Sequence, residues 1–206
     1  GLEWAGGLPG TVGAAVRGNV GAFGGEIKDS FVKAHCIRLN EDGNYEELTL
    51  NRDEMEFSYR SSHVKTHSAS SEQAEKLIVV FAQFQIQQAT QEELLNAKEK
   101  YYANILYRQE KHPLDYPNCG SIFKNISKKE EVERILESWP DVKEFVDGKW
   151  HGKISMGYVI DRLGFKGRQI GMAQVSEKHQ NFIINKGGAT ASDVKNIITE
   201  IEEEMQ

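Results

Sequence analysis

Near Thr90 the spacing of apolar residues changes period, and no other property of the sequence limits the possible folds so strongly. Before it, apolar residues alternate or gather in short runs, as strands require; after it, they recur at three- and four-residue steps, as helices require. Ser30–Leu39 and Tyr45–Leu50 read as paired strands around the turn formers Asn40-Glu41-Asp42-Gly43-Asn44. Leu77–Ile86 is rich enough in Val, Ile and Phe to predict a central strand. From Thr90 to Lys111, helical spacing sets Leu95, Tyr102, Ile105 and Leu106 on one side and Glu and Lys on the other. Lys128–Ser138 repeats the pattern with Val132, Ile135, Leu136 and Trp139 before Pro140 ends it. Ser155–Leu163 does so with Met156, Val159, Ile160 and Leu163, and Gly164 is its expected C-cap. A last helix, capped by Thr190 or Ser192, carries Val194, Ile197, Ile198 and Ile201. These stripes are expected to be core, and Asp141–Trp150 a polar connection. The pattern is that of an α+β chain with a domain boundary near residue 92.

The 206 residues are 39% hydrophobic and 27% charged, enough to bury one or two ordinary cores. A net charge of −6 supplies no basic face for nucleic acid. No apolar run approaches the roughly 18 residues of a membrane helix, and no signal peptide is evident, so no membrane association and a cytoplasmic location are expected. Cys36 and Cys119 have no metal or redox spacing, and no HExxH, paired CxxC, EF-hand or GxSxG motif occurs. No metal is expected. The chain opens at Gly1 without a methionine and reads as a piece of something longer.

Four places invite chemistry. The first, Gly6-Gly7-Leu8-Pro9-Gly10-Thr11-Val12-Gly13 with Asn19-Val20-Gly21-Ala22-Phe23-Gly24-Gly25, suits either a pyrophosphate cradle or a closely packed turn. Its spacing fits neither the Walker pattern nor GxGxxG, so the two readings stand level. The second is Arg60, in Phe57-Ser58-Tyr59-Arg60-Ser61-Ser62, either an exposed salt-bridging residue or an anion-stabilising guanidinium. In the third, Pro117-Asn118-Cys119-Gly120-Ser121-Ile122-Phe123-Lys124-Asn125, a glycine turn displays the Ser121 hydroxyl; alternation in a strand would align Ser121 with Asn125. Ser121 is a catalyst or a turn hydroxyl, and Cys119 beside it is read as a small packing residue. At the fourth, His179, before an apolar strand, an ordinary hydrogen-bonded histidine outranks a ligand or acid.

Taken in order, the glycine block, Tyr59-Arg60-Ser61-Ser62, the Pro117–Asn125 run, Gly167-Arg168-Gln169-Ile170-Gly171 and Asn181-Phe182-Ile183-Ile184-Asn185 resemble the UDP-N-acetylenolpyruvoylglucosamine reductases. These are the UDP-N-acetylmuramate dehydrogenases of peptidoglycan precursor synthesis. The resemblance implies the second part of a flavin-binding, vanillyl-alcohol-oxidase-type α+β domain over residues 1–92. A smaller α+β substrate-binding domain would follow over residues 93–206. It implies FAD and NADPH as cofactors and a UDP-sugar as substrate. Reduced flavin would pass hydride to the enolpyruvyl group, with Arg60 stabilising the enolate and Ser121 protonating it. Gly7, Leu8, Pro9, Gly10, Thr11, Val12, Gly13, Asn19, Gly21 and Ala22 match the part of the family that approaches FAD. Tyr59, Lys124, Asn125 and His179 take substrate-binding roles.

The departures are equally specific. An N-terminal lobe with a Gly-Ser-Asn phosphate loop and a C-terminal strand carrying an assisting glutamate have no counterpart, and Glu202, Glu203 and Glu204 do not take that glutamate's role. Ile126 stands where a proline is usual. Weak or absent FAD binding and little turnover are therefore expected of these 206 residues, as a monomer. The alternatives are a non-catalytic nucleotide-sugar binding fragment and another flavin oxidoreductase of the same fold.

Overall fold

The computed structural model describes residues 1–40, 42–67 and 76–205, and the chain divides into two units, Gly1–Arg108 and Gln109–Gln206. In the first, a 3-10 turn at Glu3–Ala5 leads to α1 (Val12–Arg17), the two-residue strands β1 (Gly21–Ala22) and β2 (Gly25–Glu26), and α2 (Ile27–Ser30). Strands β3 (Phe31–Leu39) and β4 (Tyr45–Asn51), helix α3 (His63–His67), strand β5 (Lys76–Phe84) and helix α4 (Gln91–Lys111) follow. The predicted hairpin forms, with Leu39 opposite Tyr45 and Lys33 opposite Asn51; Glu41 of its loop lies outside the described residues.

The sheet order is β4-β3-β5, so β5 is an edge strand and not the central strand expected from its composition. The central place goes to β3, which pairs antiparallel on both sides. In β5, Leu77 is buried, whereas Ile78, Val80 and Phe81 are exposed; its apolar richness does not correspond to burial on both faces. The core of this unit gathers Trp4, Val16, Ile27, Phe31, Met55 and Val64.

Helix α4 forms where predicted, but its apolar stripe is not core. Leu95, Tyr102 and Leu106 are 62%, 53% and 63% exposed. The helix is held instead through a neighbouring face. Asn104 Nδ2 donates to Glu3 O at 3.0 Å, and the buried Arg108 donates from Nε to Gly6 O at 2.9 Å with its guanidinium over the Phe23 ring. Those polar anchors carry the first unit past the boundary placed at residue 92.

The second unit contains α5 (Lys129–Ser138), a 3-10 turn at Pro140–Val142 that runs into α6 (Lys143–Asp147), and α7 (Met156–Arg162). Strands β6 (Gln169–Ile170), β7 (Ala173–Val175) and β8 (Ile183–Asn185) form an antiparallel sheet in that order, and α8 (Ala191–Glu204) closes the unit. The segment read as a polar connection is helical because it supplies Val142 and Val146 to the core. Predicted helix ends are found with their chemistry. Gly164 (φ +81°) follows α7, its N–H bonding Asp161 O while Phe165 N bonds Ile160 O, a Schellman motif. Thr190 caps α8 in a reciprocal box with Asp193. Ile197 and Ile201 of α8 are buried with Val159, Ile160, Ala173 and Val175, and burial of a side chain of that size contributes about 1.5–3 kcal/mol. Gln206 lies outside the described residues. Among the described residues no helix is long and apolar enough to cross a membrane.

Candidate functional site

In the first unit, the glycine block and the Arg60 turn fold onto each other. Ser58 and Ser61 exchange both backbone hydrogen bonds, leaving Tyr59 and Arg60 at the tip of a two-residue turn. Arg60 sits there at φ +56°, an uncommon conformation for a side-chain-bearing residue. Its Nη2 donates to Gly21 O, its own carbonyl accepts from Lys65 Nζ at 2.8 Å, and its guanidinium lies 5.1 Å from the centre of the Tyr59 ring. Asn19 makes the second tie. Fully buried and at φ +41°, it donates to Ser58 O at 2.9 Å and Glu26 Oε2 at 3.1 Å while accepting from Lys28 N at 3.1 Å. Its side chain therefore organises the turn from within.

The two readings of the glycines divide by position. At Gly13 a Cβ would lie 3.0 Å from Val79 O, so this glycine lets α1 approach β5. At Gly21 a Cβ would meet Gly25 O at 2.8 Å and Arg60 Nη1 at 3.1 Å, so the residue leaves room for the guanidinium. By contrast Gly7, Pro9, Gly10, Thr11 and Val12 are exposed. Leu8, Pro9, Gly10, Thr11 and Val12 line a cavity of about 310 Å³ together with Trp4 and Phe84. Its walls are mostly apolar, with Thr11 and the loop backbone supplying the polar groups. Ala22 pairs with Gly25 in the short ribbon.

In the second unit the Pro117–Asn125 run is irregular, not a strand. It touches the rest of the unit through isolated bridges, Ser121 to Phe182 and Ile126 to Ile154. Asparagine side chains replace the missing ladder. Asn118 donates to Pro113 O and Tyr116 O and accepts from Gly120 N at 3.0 Å, stabilising a turn that Gly120 completes at φ +84°. Asn181, 3% exposed, bonds Phe123 twice. Asn125 Oδ1 accepts from Met156 N at 3.1 Å, satisfying an unpaired amide at the start of α7. Ser121, Cys119 and Lys124 are exposed; the alignment of Ser121 with Asn125 expected from a strand does not arise. Cys119, read as a packing residue, lines an open cavity of about 350 Å³ with Ile122, Ile184, Asn185 and Thr190. Ile126 and Ile154 exchange backbone hydrogen bonds of 3.1 and 2.9 Å. A proline at 126 would lack the N–H that bonds Ile154 O.

His179 is hydrogen-bonded within its own turn. Its Nδ1 accepts from Asn181 N at 3.3 Å, its amide donates to Ser176 Oγ, and its ring packs on Phe182 and His112. Burial pushes its pKa below the usual 6.5, so the imidazole is neutral at pH 7. Because Nδ1 accepts, the ring proton is on Nε2. Asn118 and Asn181 were within the quoted motifs but carried no assigned role. Asparagine after a proline and two residues before a glycine is a turn signal for Asn118, whereas nothing local marks Asn181, whose partner lies 58 residues away. Among the described residues no group of three or more His, Cys, Asp or Glu could hold a metal ion.

Comparison with known proteins matches residues 112–206 to the model of "UDP-N-acetylenolpyruvoylglucosamine reductase, C-terminal domain". The chain is 38% identical over 203 residues to a UDP-N-acetylenolpyruvoylglucosamine reductase of Latilactobacillus sakei, covering 98% of this chain and 54% of that protein. It is 37% identical over 205 residues to one of a Synechococcus strain, again covering 54% of the relative. The crystal structure of a Thermus caldophilus UDP-N-acetylenolpyruvylglucosamine reductase superimposes with a TM-score of 0.67 at 27% identity, covering 99% of this chain and 60% of that one. The chain thus spans about half the length of the relatives it matches.

Proposed function

We propose, on the premise that this chain belongs with the UDP-N-acetylenolpyruvoylglucosamine reductases, that it supplies the enolate-handling groups for reduction of UDP-N-acetylenolpyruvoylglucosamine to UDP-N-acetylmuramate. The observation that carries the proposal is Ser121, an exposed hydroxyl at a glycine turn, in a chain aligned almost end to end with proteins of that name. FAD, which the loop from Gly7 to Gly13 would hold, would supply the hydride once reduced by NADPH. Addition of hydride to the enolpyruvyl double bond leaves negative charge at the neighbouring carbon and its carboxylate. Arg60 offsets that charge, its guanidinium being oriented by Gly21 O and the Tyr59 ring. Ser121 Oγ then delivers its proton to the carbon and is re-protonated by solvent, a step in which a weak acid suffices if it is positioned against the reacting atom.

The remaining residues bind. Lys124 supplies charge to the nucleotide phosphates and Tyr59 a ring. Asn125, its Oδ1 occupied by α7, turns Nδ2 to the substrate. Neutral His179 offers an Nε2 proton and no charge. The loop from Gly7 to Gly13 with Asn19, Gly21 and Ala22 serves FAD, Asn19 by shaping the turn; the cavity beside Leu8–Val12 supports that reading. We take the protein to act as a cytoplasmic monomer.

The test is Ser121→Ala with FAD, NADPH and the enolpyruvyl substrate supplied. Carbon protonation should fall by about 10²–10⁴-fold, the usual contribution of a positioned acid, while flavin reduction by NADPH persists. Equal loss of both half-reactions would show Ser121 to be structural. A second reading is a nucleotide-sugar binding module. It predicts binding of UDP-N-acetylmuramate without NADPH oxidation.

A further inference from the structure

A serine side chain has one rotatable carbon, so its hydroxyl goes where its backbone goes. The backbone around Ser121 has little regular support. Gly120 before it is at positive φ, and a single bridge to Phe182 stands where a strand would have a ladder. Both ends of the run are fixed separately. Upstream, Asn185 N donates to Pro117 O at 2.9 Å; downstream, Ile126 and Ile154 exchange backbone bonds and Asn125 caps α7.

Between those anchors one residue makes the connections. Ile122 N donates to Asn181 O at 2.9 Å. Phe123 N donates to Asn181 Oδ1 at 2.9 Å, and Asn181 Nδ2 donates back to Phe123 O at 2.9 Å. The side-chain amide thereby presents Phe123 with the acceptor and donor that a neighbouring strand's peptide groups would present. It does so at 3% exposure, away from competing water. Its own backbone is steadied by His179 Nδ1, which accepts Asn181 N.

We infer that Asn181 is the positioning residue for Ser121, its amide clamping Phe123 so that the serine hydroxyl is held for the carbon-protonation step. The inference rests on the reading of Ser121 as proton donor. The clamp demands asparagine specifically: aspartate keeps the acceptor for Phe123 N but opposes Phe123 O with a second acceptor, and leucine has a similar shape with neither group.

The experiment compares Asn181→Asp and Asn181→Leu with the parent chain by amide hydrogen exchange and by half-reaction kinetics. Exchange at Phe123 should accelerate about tenfold in the leucine variant, the factor one hydrogen bond's net contribution is worth, and less in the aspartate variant. The amides of Ile126, Ile154 and Asn185 should keep their protection in both. Carbon protonation should slow on the order of 10²-fold in the leucine variant, as for a displaced reacting group, with NADPH-driven flavin reduction unchanged. Unaltered Phe123 exchange overturns the inference. So does loss of protection at all the reference amides in both variants, which would make Asn181 a general folding residue. If Ser121→Ala stops carbon protonation and Asn181→Leu does not, the donor reading stands and the positioning role falls. If Ser121→Ala leaves it intact, the donor reading itself has failed, and the role of Asn181 in chemistry with it.

Discussion

The two units treat apolar surface differently. In Gln109–Gln206, helices α5, α6, α7 and α8 and the small sheet converge on one core, and the stripes of α5, α7 and α8 are buried or half-buried. In Gly1–Arg108, β5 leaves Ile78, Val80 and Phe81 exposed, and α4 leaves Leu95, Tyr102 and Leu106 exposed. A hydrophobic stripe therefore means different things in the two units. It reports packing where elements surround it, and only a capacity for packing where they do not. The contrast extends to the sites. Around Arg60 the polar scaffold is one fully buried asparagine in a nest of glycines, whereas around Ser121 it is spread over Asn118, Asn125 and Asn181.

The largest difference between the units is expected from a matched pair of truncations. Ile197→Ala should destabilise the second unit by about 2–5 kcal/mol, since the side chain is fully buried. Leu106→Ala, at an exposed position, should change the first by less than about 0.5 kcal/mol. Urea denaturation followed by hydrogen exchange in each unit measures both, and a large cost for Leu106 would mean its face is covered in solution. Next in size is Asn19→Ala, which orphans Lys28 N and leaves Ser58 O to the Ser61 N donor. A loss of about 1–3 kcal/mol is expected, together with release of the Arg60 turn. Nuclear magnetic resonance shifts confined to residues 19–28 and 58–65 would confirm the route, and a silent substitution would remove Asn19 as the organiser.

The smallest effect concerns pH and belongs to the second unit. Burial holds the folded His179 pKa below its ordinary value, so between the folded and unfolded pKa the unfolded chain carries more protons and stability rises with pH. This contribution is complete above about pH 6.5 and is lost as pH falls through that value toward the folded pKa. The ring of His112 lies 5.6 Å from that of His179 in an edge-on contact. Replacing His179 with Gln should flatten the slope of unfolding free energy just below about pH 6.5; an unchanged slope would assign it to other groups.

Much of the fold was readable because its causes are local. The hairpin from Phe31 to Asn51, the stop at Pro140, the glycine after α7 and the Thr190 box each arise within a few residues. The rank of β5 as an edge strand was not, since composition cannot say which of three strands pairs twice. The helix in Lys143–Asp147 was hidden because two buried valines in a charged stretch look like a connection. At the sites, Arg60 and Ser121 stood out by their neighbours in sequence; Asn19 and Asn125 were singled out for other roles, and Asn181 for none.

From residue order alone came the α+β character, the family resemblance and the turn at Gly120, because periodicity, motif order and backbone preference are written in adjacent residues. Only the folded chain decided that Asn19 would tie the glycine block to Ser58, 39 residues on, and that Asn181 would stand in for a strand beside Phe123, 58 residues back. A buried amide must find a partner wherever the backbone offers one, and which carbonyl and N–H come within reach is settled by packing and not by spacing.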